Sequence, residues 1–352
     1  MMLSEIFPLP HQEPWDNYTN SLFNLQKKDF KPYSLLEDVD ILGDTSLVSF
    51  SNGDIVEDAI DEALYWQPRP FPFQHLRTDD IAKVLIEERK NCLSGLKEFY
   101  YKHYSDNVFI HEEAIGIYLC HPFGFYAYGH LHDSLQRLYS VRHLPPDSRY
   151  RLVVSSYERV TNFLEHISAL LGKTLSDQDL ILVSPKEIHR FEQLIVPFSP
   201  AIPTSYTSDT YDWLFTSYIN EFVEDPFSPT DKNLYLSRNH VTPGARSVTN
   251  EEEVRGLLEE NNFKVVYGNE PLRDIISLFY SAKTVVGCHG SLFANTAFCR
   301  PGTKIIEYCP ANRIDFSFRN KYKYAQDYAH CLVGADEKYN IAIPVDDLFS
   351  RL

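Results

Sequence analysis

Residues 283–309 read KTVVGCHGSLFANTAFCRPGTKIIEYC, a pattern that predicts a strand, a tight turn, a short helix, a loop and a second strand. The β-branched Thr-Val-Val run is typical of a buried parallel strand. Gly287 and Gly290 flank the turn, so the backbone can bend sharply and lie close to a bound molecule. Ser291 is expected to cap a helix over about residues 292–298. A helix that starts after a glycine turn at the carboxyl end of a strand is a ready anion site.

The second strand of this segment, residues 304–308, brings Glu307 to the same edge of the predicted sheet. Backbone amides suit phosphates and a carboxylate suits ribose hydroxyls, so the segment as a whole suits a nucleotide. His289 lies within the turn, where an imidazole can neutralise a departing diphosphate, and Asn295 belongs to the same group. The other interpretation is an ordinary strand–turn–helix–strand unit without a ligand, in which His289 makes a structural hydrogen bond.

Two arginines upstream of this segment are candidates for phosphate binding. Arg238 follows Ser237 at the end of the predicted strand 234–236, and Arg246 lies in a Pro-Gly loop. The planar donor fork of arginine matches the geometry of a diphosphate. The alternative is a surface arginine in an interdomain salt bridge.

A second group of candidates lies in the first half of the chain. His130, His132 and Asp133 fall at the start of a Leu-rich amphipathic pattern, directly after a loop rich in glycine and aromatic residues. A carboxylate in such a place can act as a general base toward a hydroxyl. Alternatively, Asp133 only stabilises the positive end of a helix dipole.

The order of predicted elements divides the chain into four parts. Residues 1–75 form a β-rich lead-in, residues 76–205 a first domain, residues 206–232 a proline-rich linker with one helix, and residues 233–352 a second domain. In both domains strands alternate with helices, which predicts open sheets with parallel strands. The predicted fold class is therefore α/β with two domains, and the lead-in packs on the first of them.

Composition argues against several classes of partner. The 352 residues carry a net charge of −16, whereas nucleic-acid binding needs a basic surface. No apolar run reaches the length of a membrane span, and the N-terminus lacks the pattern of a signal peptide. Six cysteines without CxxC pairs fit reduced thiols. We expect a cytoplasmic protein with no nucleic-acid partner; peripheral docking at the inner face of a membrane stays open, and the oligomeric state is not readable.

Two Asp-x-Asp matches, at residues 38–40 and 177–179, are too short to predict a metal site. We therefore expect neither a metal nor another cofactor.

Several short motifs follow one another over residues 234–308. Ser-Arg ends the first strand, R-x-x-x-N-E begins at Arg246, G-x-H-G-x-x-x-x-N begins at Gly287, and the last strand ends in Glu307. In this order and spacing the region resembles glycosyltransferase family 61.

The first domain resembles the same family over a shorter stretch. The family has H-x-x-x-D at a helix start, followed by a Leu-rich run, and this chain matches at Asp133 and at the run after it. At the histidine position, however, it has Gly129, and His130 stands one residue further on.

The resemblance implies an inverting, metal-independent glycosyltransferase with two Rossmann-like domains that face a cleft, the GT-B arrangement. A nucleotide-sugar, preferably a UDP-sugar, would bind to the second domain, and a hydroxyl of a glycan or glycolipid acceptor would lie in the cleft. The implied roles are Asp133 as base, Arg238, His289 and the amides near Gly290 and Ser291 at the diphosphate, Arg246 as a further phosphate contact, Glu307 at the ribose, Asn295 at the turn or the donor, and His130 and His132 on the acceptor side.

Two functions from other classes remain open at this point. One is an enzyme that modifies a nucleotide-sugar without an acceptor, such as an epimerase. The other is a non-catalytic scaffold that binds a nucleotide and transfers nothing, which the glycine at position 129 makes conceivable.

Overall fold

The computed structural model describes the chain as two compact units. One unit holds the described residues between 33 and 197, and the other holds those from 208 to 352. The predicted base Asp133 and its neighbours His130 and His132 lie outside the described residues. The described residues are 33–43, 47–50, 97–120, 135–142, 144, 149–155, 163–184, 186–197, 208–238, 246–314, 318 and 326–352.

The described strands of the first unit form one mixed sheet. They are β1 (Tyr33–Leu42), β2 (Leu47–Phe50), β3 (Val108–His111), β4 (Ile115–Tyr118), β5 (Tyr150–Ser155), β6 (Leu180–Val183) and β7 (Ile188–Pro197). The sheet order is β2-β1-β7-β4-β5-β6, and β3 also pairs with β7. The pairs among β3 to β7 are parallel, whereas β1 is antiparallel to both β2 and β7.

Strand β1 belongs to this sheet rather than only resting on it. It pairs with β7 from Tyr33 opposite Pro197 to Leu42 opposite Ile188. Val39 and other β1 side chains are buried in one apolar cluster with side chains of β4, β5 and β7. Part of the segment predicted as a lead-in therefore supplies a strand of the first unit.

The second unit is built on a parallel sheet of five described strands. They are β8 (Lys232–Leu236), β9 (Phe263–Val266), β10 (Ala282–Cys288), β11 (Lys304–Pro310) and β12 (Asp327–Val333). Their order is β12-β11-β10-β8-β9, and every neighbouring pair is parallel. This confirms the predicted mixed α/β class with parallel strands.

The strand order defines where a ligand would lie on the second unit. From β8 the chain moves outward to β9, then returns to the other side of β8 to form β10, and continues through β11 to β12. The order thus reverses between β8 and β10. In open parallel sheets ligands bind outside the carboxyl ends of the strands at such a switch point.

Helices connect and cover the strands of both units. Those in the described ranges are α1 (Leu138–Val141), α2 (Phe163–Leu171), α3 (Ser208–Phe222), α4 (Glu251–Glu260), α5 (Leu272–Tyr280) and α6 (Val345–Arg351), with 3₁₀ helices at Asp177–Asp179 and Ser291–Phe298. Val254 and Leu258 of α4 and Leu348 of α6 pack on one face of the second sheet in a single apolar core. Within the described ranges, no helix combines the length and the apolar character that a membrane crossing requires.

Candidate functional site

The carboxyl ends of β8 and β10 meet at a turn in which two glycines lie close to neighbouring atoms. A methyl group at Gly287 would lie 2.9 Å from Cβ of Leu236 and 3.0 Å from its carbonyl oxygen. A methyl group at Gly290 would overlap with Nη1 of Arg238. The two glycines therefore allow β8 to approach the turn closely and allow the Arg238 guanidinium to cross it.

The helix after this turn differs from the one predicted. Residues Ser291–Phe298 form a 3₁₀ helix whose N-cap is Gly290, and no side chain caps it by a hydrogen bond. The prediction of Ser291 as the cap was therefore wrong. The physical reason is tertiary: all six residues from Phe293 to Phe298 are buried, so packing on every side sets the helix form. Asn295 is 1% exposed, which favours bracing of the turn over contact with a donor.

The Arg238 guanidinium lies at the turn. Its Nη1 donates a hydrogen bond to the carbonyl oxygen of His289 at 2.9 Å, and its Nε is buried without a hydrogen-bond partner. Burial lowers the pKa of Arg238, the charge of Arg313 lowers it further, and the neighbouring Cys288 raises it. No carboxylate of the described residues forms an ion pair with this guanidinium. A partly buried cation without a counter-charge is a site for an anion.

Arg246 and Arg313 lie near Arg238. The Arg246 backbone has a φ of 56°, and its N–H donates a hydrogen bond to the Lys338 carbonyl. The positive charges of Arg246 and Arg238 both act to lower the pKa of the Cys288 thiol. Arg313 is exposed, and its guanidinium lies 5.3 Å from the ring centre of Tyr339. Sequence reasoning missed Arg313, although its position three residues after β11 could have placed it at this edge of the sheet.

His289 is paired with Glu307 beneath the turn. His289 Nδ1 lies 2.7 Å from Glu307 Oε1, while Oε2 accepts hydrogen bonds from the Tyr328 hydroxyl at 2.7 Å and from His330 Nδ1 at 3.1 Å. Burial by itself would raise the pKa of Glu307, but the hydrogen bonds and charges of His289 and His330 outweigh it and hold the pKa at about 2. The carboxylate is therefore ionised.

The surroundings of Glu307 bear on its predicted role at a ribose. The residue has no exposed surface, and both carboxylate oxygens accept hydrogen bonds from side chains of the protein. The ribose contact stays a prediction, and this geometry favours a role in holding His289. His330 and Tyr328 were not found from the sequence, because a strand reading Asp-Tyr-Ala-His-Cys-Leu-Val gives no sign of which side chains meet a neighbouring carboxylate.

A second buried carboxylate, Glu251, connects the end of β8 to α4 through hydrogen bonds. Glu251, at the start of α4, accepts hydrogen bonds from the hydroxyls of Ser237 and Tyr235, both at 2.6 Å. Asn250 bonds to the backbone N–H and C=O of Ile343, each at 3.0 Å. The Asn-Glu motif thus ties the residue next to Arg238 to the C-terminal segment of the unit.

The acidic pairs that match Asp-x-Asp have other partners in the structure. Asp40 is fully buried and receives two hydrogen bonds from Arg190 and one from Tyr101. Asp179 closes a capping box with Ser176. Among the residues that the structure describes, no group of three or more His, Cys, Asp or Glu side chains is arranged to hold a metal ion.

The structure brings most of the predicted donor residues together. Those at the carboxyl edge of β8, β10 and β11 are Arg238, Arg246, His289, Gly290, Ser291 and Glu307. Asn295 lies within the 3₁₀ helix, beneath this edge.

Comparison with known proteins gives a family match that includes the region of the glycine turn. No curated protein matches the chain. The model of the family described as Glycosyltransferase 61 matches residues 128–306, which is more than half of the chain and includes both the glycine turn and the segment around Asp133. The protein therefore belongs to glycosyltransferase family 61.

Proposed function

We propose that the protein is an inverting, metal-independent glycosyltransferase that moves a sugar from a nucleotide-sugar, preferably a UDP-sugar, to a hydroxyl of a glycan or glycolipid. Membership of the family supports glycosyl transfer in general, with a donor and an acceptor as substrates. The proposal includes two Rossmann-like domains of the GT-B type. It also includes a cytoplasmic location, and peripheral docking at the inner face of a membrane stays open.

The observation that carries the proposal is Arg238 at the switch point. The guanidinium lies across Gly290, between the ends of β8 and β10, without a carboxylate partner among the described residues. Arg246 and Arg313 add positive charge nearby, in a chain whose net charge is −16. Such a local concentration of cations suits a nucleoside diphosphate.

In the proposed reaction the acceptor oxygen attacks the anomeric carbon from the face opposite the diphosphate. The bond between that carbon and the diphosphate oxygen breaks, and the nucleoside diphosphate leaves with both electrons. Asp133 takes the proton of the acceptor hydroxyl. Arg238 and His289 stabilise the negative charge that develops on the leaving group, which is a task that fixed cations and donors perform well in a partly buried site.

Thermal unfolding against a nucleotide panel tests the donor site. UDP, GDP, CDP and their sugars are added to the full chain in the presence of EDTA. A ligand at about one hundred times its dissociation constant stabilises the native state by about 2.7 kcal/mol. We expect UDP to shift the transition and Arg238→Ala to abolish the shift. The matched control is Lys283→Ala, which removes an exposed cation at the opposite end of β10. If no nucleotide shifts the transition, the donor assignment is wrong.

Assays of turnover separate the proposal from the two other functions. An epimerase would convert a nucleotide-sugar without any acceptor, and a scaffold would bind the nucleotide and transfer nothing. We expect transfer to a glycan hydroxyl, and we expect Asp133→Asn to lower its rate at least a hundredfold while UDP binding is retained. Normal transfer by a folded Asp133→Asn variant would rule out this base.

A further inference from the structure

Four side chains, three of them buried, form one hydrogen-bonded network next to the glycine turn. Glu307 Oε1 accepts a hydrogen bond from Nδ1 of His289, and Oε2 accepts from Tyr328 and from Nδ1 of His330. The side chains of His289, Glu307 and His330 are 8%, 0% and 4% exposed. Three donors therefore converge on one carboxylate that water does not reach.

Strand register explains why this carboxylate is held in place. Glu307 of β11 lies opposite Gly287 of β10 on one side and opposite His330 of β12 on the other. Tyr328 and His330 are two residues apart on β12, so their side chains leave the strand on the same face. Both donors from β12 fix Oε2, which leaves Oε1 directed at His289.

This arrangement determines which nitrogen of His289 carries a proton. An ionised carboxylate can only accept hydrogen bonds, so Nδ1 of His289 must be the donor. Any hydrogen bond between His289 and a diphosphate is then made through Nε2.

Several described groups lie next to His289. Arg238 donates to its carbonyl, and the ring of Phe318, an apolar neighbour, lies 5.5 Å from the imidazole. Burial raises the pKa of the adjacent Cys288 thiol to about 12, so this thiol is neutral near pH 7. Of the described side chains in contact with His289, Arg238 and Glu307 carry a charge.

We infer that Glu307 and His330 are positioning residues for His289: they hold its Nδ1–H and direct its Nε2 to the departing diphosphate. This inference rests on the proposed function, because it assigns a purpose to the same site. It differs from the predicted ribose contact, since Glu307 then acts on the donor only through His289.

A double-mutant cycle with UDP as the probe separates the two roles. Binding is measured by calorimetry on the full chain for Glu307→Gln, His289→Ala and the double variant. We expect Glu307→Gln alone to weaken UDP binding about tenfold and to add no more than about twofold when His289 is already alanine. An equal loss from Glu307→Gln in both backgrounds would overturn the inference and restore the ribose contact.

Two further measurements keep the test decisive if Glu307→Gln folds poorly. Tyr328→Phe removes one donor to Glu307 and is expected to weaken UDP binding about threefold. Tyr308→Phe is the matched control, since its hydroxyl bonds to Asp347 at 3.1 Å instead. Unchanged UDP binding in a folded Tyr328→Phe variant would contradict the inference.

The second measurement is nuclear magnetic resonance of ¹⁵N-histidine in the wild-type chain, which reports the protonated nitrogen directly. A protonated Nδ1 on His289 supports the inference, and a neutral ring protonated at Nε2 alone overturns it. This outcome does not depend on nucleotide binding. A chain that binds no nucleotide but shows the protonated Nδ1 would therefore contradict the proposed function and leave the positioning of His289 intact.

Discussion

Arg238 crosses the turn at Gly290, where any side chain would overlap with its guanidinium. The backbone of Gly290 is extended, with a φ of 176°, so other residues could adopt its conformation without strain. Glycine at this position thus leaves room for the Arg238 guanidinium, and a larger residue would displace that side chain. The neighbouring Gly287 is required because Leu236 lies too close for a side chain.

We expect Gly290→Ala to weaken UDP binding at least tenfold, because Arg238 must leave the turn and lose its bond to the His289 carbonyl. Calorimetry with UDP and denaturant unfolding check this outcome. Gly256→Ala is the control, since nothing lies within 4 Å of the added methyl group on α4. It should leave UDP binding unchanged and stabilise the fold by up to about 1 kcal/mol. Wild-type affinity in Gly290→Ala would contradict the role given to Arg238.

The lowered pKa of Glu307 predicts how the free energy of unfolding depends on pH. Its pKa is about 2 in the folded chain and 4.5 as the ordinary value, so its ionised form stabilises the fold above about pH 4.5. This contribution, about 3 kcal/mol, is lost as the pH falls from 4.5 toward 2. Urea unfolding across this range should show a weaker pH dependence for Glu307→Gln than for the wild type. Glu260→Gln, which changes an exposed carboxylate, should leave the dependence as it is. Equal slopes for Glu307→Gln and wild type would show that the carboxylate is not ionised in the fold.

Among the elements of the second unit, those with a local signal were predictable from the sequence. The Thr-Val-Val run and the two glycines gave strand β10 and its turn, and the alternation of strands and helices gave the parallel sheet. The 3₁₀ form of the next helix was not predictable, because six consecutive buried residues show no polar face that would favour one helix period. Packing against neighbouring elements decided it.

Contacts between distant elements were likewise beyond the sequence. Glu251 meets Ser237 and Tyr235 across 14 and 16 residues, and His330 meets Glu307 across 23. No periodicity marks such pairs, since each depends on strand order and on register. The motif residues were recognisable from the sequence, whereas what they touch was not.

The junction of β8 and α4 gives a prediction about stability. Tyr235→Phe and Ser237→Ala each remove one hydrogen bond to Glu251 and should each cost about 1.5–3 kcal/mol. The double variant should cost more than the two together, because it leaves a buried carboxylate without these donors. Urea unfolding of the four chains measures the difference. Strict additivity would show that Glu251 finds other partners.

The net charge of the whole molecule is negative, whereas the candidate site contains several positive side chains. The chain carries −16 overall, yet three arginines gather around the glycine turn of the second unit. We therefore expect the net charge of the chain to repel a diphosphate and these three arginines to attract it. At about 0.15 M salt the Debye length is about 8 Å, so the distant acidic residues are largely screened and the nearby arginines are not.

The contribution of Arg313 to diphosphate binding should depend on salt, because its side chain is exposed. We expect Arg313→Ala to weaken UDP binding up to about fivefold at low salt and to have little effect at high salt, since exposed charge pairs contribute about 1 kcal/mol or less. Calorimetric titration at several salt concentrations checks it. Lys283→Ala should change neither the affinity nor its salt dependence. A salt-independent loss in Arg313→Ala would indicate a direct, water-excluded contact.

Strand β7 has a consequence for how the chain is made. It pairs with β1, β3 and β4, and its partner β1 lies about 150 residues earlier in the sequence. During synthesis, the edge of β1 that pairs with β7 therefore stays unpaired until residue 197 has left the ribosome. In the second unit, the strands that pair are closer together in the sequence, so each strand can pair after a shorter stretch of chain has been made. Because distant pairings form slowly, we expect the first unit to be the slower to mature on the ribosome and the one that chaperones hold longest.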